Sequence, residues 1–112
     1  MFARKLFKQL EINSFMKQNK EIEEIKRKIV PLLKKNKIVR AGIFGSYARG
    51  EQKKNSDIDI LIRPTRKMSL FDFAGIKLEI EDKLGNKIDI VSYRAIHPKL
   101  KRQILREEIR II

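Results

Sequence analysis

Cysteine is absent from the 112 residues, and histidine occurs once, as His97. That removes a disulfide framework, a thiolate zinc site and a cysteine nucleophile, and a single histidine cannot build a His-based metal site. Long apolar runs are also missing. Nothing approaches the roughly 18 consecutive apolar residues of a membrane span, and the basic start MFARKLFKQL lacks the apolar stretch of a secretory signal. The chain therefore reads as a soluble, cytoplasmic protein. At this length the expectation is one domain, too small to hold a catalytic unit and a separate substrate domain.

Charge is plentiful and uneven. Residues 1–40 carry 12 Lys/Arg against 4 acids and residues 94–112 carry 6 against 2, whereas residues 41–93 are nearly balanced at 9 against 8. The basic excess thus lies on the two flanks. Such flanks attract nucleic acid or an acidic protein surface through long-range fields. The plainer alternative is a Lys- and Ile-rich composition that keeps the protein soluble.

Residues 1–20 show no clear period and read as an N-terminal extension, helical or frayed, ahead of a single domain over 21–112. From Glu21, apolar residues recur at three- and four-residue steps through Ile22, Ile25, Ile29, Leu32 and Leu33, with acids first and Lys34 and Lys35 last. This is an amphipathic helix whose charges suit its dipole, with a kink expected at Pro31. KIVRAGIF reads as a strand stopping at Gly45, and SDIDILIR as a second strand ending before Pro64. Ser69 with Asp72 forms a capping-box pattern that opens a helix along Leu70, Phe73, Ile76, Ile80 and Leu84, closed by Gly85. Phe71 and Phe73 are read as core. NKIDIVSY is a third strand, His97 a helix-entry residue, and Pro98 suits the first turn of a last helix through Ile104 and Leu105. The order is thus helix, strand, short turn-helix, strand, helix, strand, helix.

Asp57 and Asp59 sit two apart in the second strand, so they project together while Ile58, Ile60 and Ile62 pack on the opposite face. Asp89 lies between isoleucines in the third. Aspartate is a poor strand former, and a carboxylate in a half-buried sheet costs several kcal/mol unless compensated. Three on neighbouring strands would also repel one another. Solvated aspartates on an exposed face account for one strand more readily than for two. A divalent cation is the natural compensation, because Mg²⁺ takes hard oxygen ligands and keeps waters and phosphates in its shell. Gly45 permits close backbone approach, and Ser46 offers a hydroxyl and an N–H at the start of the short segment SYARG, an anion site or an ordinary helix cap. Arg49, one turn on, either contacts phosphate or is simply solvated. Lys53 and Lys54 read as loop charges, and Tyr47 and Tyr93 as packing residues.

GSYARG followed by SDIDILI, with ten residues between Ser46 and Asp57, resembles the signature of the DNA polymerase β nucleotidyltransferase superfamily. The small size resembles its minimal nucleotidyltransferase branch, the MntA-like antitoxins paired with HEPN-domain toxins. The resemblance implies an α/β (α+β) fold, a small mixed sheet with flanking helices, together with two Mg²⁺ ions and transfer of a nucleoside monophosphate from a triphosphate, ATP, with pyrophosphate leaving. Gly45 and Ser46 would bind the triphosphate, and Arg49 joins them as a nucleotide-binding candidate by its position one turn on. Asp57, Asp59 and Asp89 would be catalytic residues and metal ligands, Asp89 resting on strand context and not on fixed spacing. It further implies a protein acceptor, a tyrosine of a cognate HEPN RNase toxin, and a hetero-oligomer. Two alternatives stay open, an antitoxin that works by binding alone and transfer to RNA ends.

Overall fold

The computed structural model describes residues 2–112, with side chains from Lys5 onward except Ser14. Helix α1 runs without a break from Phe2 to Lys35, so the N-terminal segment and the amphipathic repeat form one element, and it continues past Pro31 for a further turn. Its buried stripe, Ile22, Ile25, Ile29, Leu32 and Leu33, begins only in the second half. Toward the N-terminus Leu6, Phe7, Leu10, Phe15 and Met16 are exposed.

After a turn at Lys37, which adopts φ 64°, strand β1 spans Ile38–Phe44 and passes directly into the short helix α2, Gly45–Arg49. Strand β2 follows at Ile58–Pro64, then α3 at Leu70–Leu84, β3 at Ile88–Ser92, a 3₁₀ turn at Tyr93–Ala95, α4 at Pro98–Glu107 and a two-residue strand β4, Ile109–Arg110. The expected boundary before Pro64 shifts by one residue, because Pro64 still pairs with Ile38 at the strand end. The helix signals hold closely. Ser69 and Asp72 form a reciprocal capping box, Gly85 closes α3 in the left-handed conformation, and the His97 ring accepts the Lys99 N–H at the start of α4.

The sheet order is β3-β2-β1-β4, with β2–β3 parallel and the other pairs antiparallel. Ile58, Ile60 and Ile62 of β2 join Ala41 and Ile43 of β1 and Ile88 of β3 on the face packed by α1 and α3. Strand alternation puts Asp59 and Leu61 on the other face, where Leu61 is also fully buried. One reading is corrected: Phe73 packs against the core but Phe71 is 90% exposed, because α3 buries only the stripe through Phe73, Ile76 and Ile80 and Phe71 falls off it.

Candidate active site

The site forms where β1 ends and β2 begins. Phe44 pairs with Asp59 in the antiparallel register, so the turn that leaves β1 at Gly45 lies beside the residues that enter β2. Gly45 adopts φ +71°, a conformation costly for any residue with a Cβ. The space is closed as well. A Cβ there would stand 3.0 Å from the Asp59 carboxyl carbon and run into its Oδ2. Glycine is therefore required twice at this position, by backbone shape and by the carboxylate against it. The start of α2 carries no side-chain cap, which leaves its first N–H groups without a partner from a capping residue.

Asp59 and Asp89 are register partners on the parallel strands β2 and β3. Adjacent strands lie about 4.8 Å apart, and paired residues of neighbouring strands share a face, so the two carboxylates stand side by side. Asp57 precedes β2 by one residue and is exposed, as is Asp89, whereas Asp59 is half-buried. Burial, and behind it the charges of Asp89 and Asp57, pushes the Asp59 carboxyl up to about 6, with the Arg49 guanidinium pulling in the other direction. Among the described residues no three His, Cys, Asp or Glu side chains close into a ready-made metal cage. The arrangement is an open, half-built cluster of negative charge facing the glycine turn.

Helix α2 is held from three sides. Tyr47 is buried in the core, and its hydroxyl accepts a hydrogen bond from Asn86 Nδ2 at 3.2 Å. Gln18 of α1 donates to the carbonyls of Tyr47 and Ala48 at 3.2 and 2.8 Å, which satisfies acceptors that a five-residue helix leaves open. Arg49 pairs with Glu51 at 3.0 Å and with Glu107 of α4 at 3.3 Å. Phosphate contact by Arg49 would thus share or displace these carboxylates. Lys53 and Lys54 lie exposed in the following turn, where the Lys53 N–H meets Ser56 Oγ at 2.7 Å.

Two parts of this arrangement escape a reading of the sequence. Gln18 falls in a stretch without period, and only the continuity of α1 delivers it to α2. Glu108, with its side chain 5% exposed, pairs with Arg40 at 3.1 Å and accepts a hydrogen bond from the Tyr93 hydroxyl, while Arg40 stacks over the Tyr93 ring at 4.5 Å. Burial together with Glu108 raises the Tyr93 phenol well above its ordinary value. Tyr93 is therefore a member of a polar network and not merely a packing residue.

The polymerase β nucleotidyltransferase family model matches residues 27–112. A candidate protein adenylyltransferase of Methanocaldococcus jannaschii is 50% identical over 91 residues, covering 81% of this chain and 98% of that protein. A solved structure of a candidate minimal nucleotidyltransferase superposes with a TM-score of 0.71 at 38% identity, over 80% of this chain and 92% of that one. A toxin–antitoxin structure with AMP-PNP gives 0.70 at 27% identity, over 78% and 72%.

Proposed function

The chain belongs to the polymerase β nucleotidyltransferase family, and on that premise we propose that it transfers AMP from ATP to a tyrosine hydroxyl of a cognate HEPN RNase toxin, as a cytoplasmic antitoxin. The observation that carries the reading is the register pairing of Asp59 with Asp89 beside the Gly45 turn. The likeness to a candidate protein adenylyltransferase and to a toxin–antitoxin structure with AMP-PNP supports the chemistry and the class of partner. No helix of the described residues is long and apolar enough to cross a membrane. In this reading the catalytic unit is residues 21–112, and residues 1–20 are an extension whose basic surface is available to the toxin.

The carboxylates fit divalent cations. Burial first, and then the neighbouring Asp89 and Asp57 charges, hold the Asp59 proton to about 6, a penalty on the carboxylate that a cation would relieve, and Mg²⁺ is ordinarily bound by one or two carboxylates, with water and substrate phosphate filling the rest of its shell. An open cluster suits that habit better than a closed cage. Asp57, Asp59 and Asp89 would hold two Mg²⁺ ions, which when bound neutralise triphosphate charge and ease deprotonation of the incoming hydroxyl. The Gly45 backbone and the Ser46 N–H and hydroxyl bind the triphosphate, with Arg49 adding a guanidinium when it turns from Glu51 and Glu107. Asp89 accepts the proton of the tyrosine hydroxyl. The tyrosine oxygen bonds to the α-phosphorus as the bond to the bridging oxygen breaks, and pyrophosphate leaves.

Intact-mass spectrometry of the cognate toxin after incubation with this chain, ATP and Mg²⁺ tests the reading, with Asp57→Ala as control. Mass gain in AMP-sized steps that is absent in the control is the expected result. No gain from a complex that still forms would leave an antitoxin that acts by binding, and label found on RNA ends would replace the acceptor.

A further inference from the structure

At the far end of the same strands lies a cavity of about 820 Å³, bounded by the residues that leave β2 and β3 and by the side of α4. Six cations line it, Arg40, Arg63, Arg66, Lys67, Arg94 and Lys101, and no carboxylate does. Arg40 is tied to Glu108 and Arg66 to Asp72 at 3.6 Å. Among the described residues Arg63, Lys67, Arg94 and Lys101 take part in no ion pair. Four unneutralised cations around one concavity repel one another, and an anion relieves that repulsion. The wall is not only charged. Phe73 and Met68 supply an apolar floor, and Ser92 stands among the cations with a hydroxyl that accepts the Arg94 N–H and keeps its own proton to donate.

This cavity is separate from the carboxylate site. Arg63 follows Asp59 by four residues on β2, about 13 Å along a strand, with the fully buried Leu61 between them. The geometry points to a second binding site, for a nucleotide-sized oligophosphate. Guanidinium forks match phosphate oxygens, an apolar floor accepts a base or ribose, and small-molecule sites commonly enclose roughly 300–1,000 Å³. The volume suits a ligand of one nucleotide better than an extended polymer.

Equilibrium binding by calorimetry tests it on the full chain carrying Asp57→Ala, in EDTA, so that metal-assisted binding at the carboxylate site is removed. The probes are ADP and inorganic tripolyphosphate. Saturable binding of one equivalent is expected, weakened about tenfold or more by Arg63→Ala with Lys101→Ala. Arg94→Ala, a change at an exposed turn residue, gives a second measurement should the double variant fold poorly, and far-UV circular dichroism checks each. Tighter binding of ADP would assign the apolar floor to the nucleoside, and equal binding would assign the site to the phosphate chain; either supports the proposal. No saturable binding, binding indifferent to these substitutions, or binding only of an RNA of ten or more nucleotides would overturn it.

Discussion

Strands β2 and β3 begin beside Asp57, Asp59 and Asp89 and run out into Arg63, Arg66, Lys67 and Arg94. Like charges gather at both ends, with the apolar residues Ile60, Leu61 and Ile62 between them. The ends differ in how the charge is carried. The acidic end is partly buried, so burial, and behind it the repulsion of Asp89 and Asp57, appears as a displaced carboxyl at Asp59. The basic end is a wide, solvated hollow, where long side chains spread the repulsion and water screens it. A compact point charge such as Mg²⁺ suits the first, and an extended anion suits the second. At physiological salt the screening length is about 8 Å, shorter than the span between them, so the ends act nearly independently.

The largest effect expected from breaking this polarity is at the acidic end. Asp59→Ala should lower AMP transfer by about 10²–10³-fold or more while the far-UV spectrum stays native, the scale seen when a preorganised charge-stabilising group is removed. Transfer at the native rate would exclude Asp59 from the chemistry. Next comes the Arg40–Tyr93–Glu108 network at the wall of the basic end. Glu108→Ala strips the partner from Arg40 and from the Tyr93 hydroxyl and opens space against Gly42, where a Cβ would stand 2.6 Å from the Glu108 carboxyl carbon. Because Arg40 is one third exposed and can regain water, the loss should be about 2–3 kcal/mol, below that of a fully buried pair. Urea unfolding measures it, and Glu108→Gln, which keeps an acceptor, should lose less.

A smaller effect is set by pH. The Asp59 carboxyl rises from its ordinary 3.8 to about 6 in the fold, so across that window the folded state binds more protons than the unfolded one and stability falls as pH rises. In EDTA, the thermal midpoint of the wild type should therefore fall relative to that of Asp59→Asn between pH 4 and pH 7. Added Mg²⁺ should close the gap. Parallel profiles for the two proteins would mean that the fold does not raise the Asp59 carboxyl.

Much of this polarity was readable in the residues, and its most consequential contact was not. Alternating isoleucines mark β2 and β3 and an apolar run before a glycine marks β1, while Ser69, Asp72, Gly85 and Pro98 mark the helix ends through local hydrogen bonding and fixed dihedrals. Gly45, Ser46, Asp57 and Asp59 lie within one short stretch, so spacing alone brings them together. The pairing of Asp59 with Asp89 needs the parallel register of two strands separated by α3, which no local pattern encodes. Strand β4 is two residues long and exists only because β1 has a free edge to receive it. The basic hollow was hidden for a different reason. Its cations come from Arg40, from 63–67 and from 94–101, and a charge count by segment assigns the middle group to a nearly neutral stretch.

The smallest expected effect tests how the basic end keeps its shape. Asp72 is the partner of Arg66 at the rim, and it is held there by the capping box with Ser69. Its hydrogen bonds with the Ser69 backbone and side chain, more than Arg66, hold the carboxyl below its ordinary value. The stability it contributes is thus present above the unfolded-state value and lost as pH falls through the folded one. Ser69→Ala removes one half of the box and should cost about 1 kcal/mol, as loss of an N-cap hydroxyl usually does. It should also flatten the acid limb of the urea midpoint against pH, because Asp72 then has less to lose on protonation. AMP transfer should stay unchanged, since the cap lies at the basic end. A loss of transfer as large as that of Asp59→Ala would show that the two ends are coupled through α3 and that their independence fails.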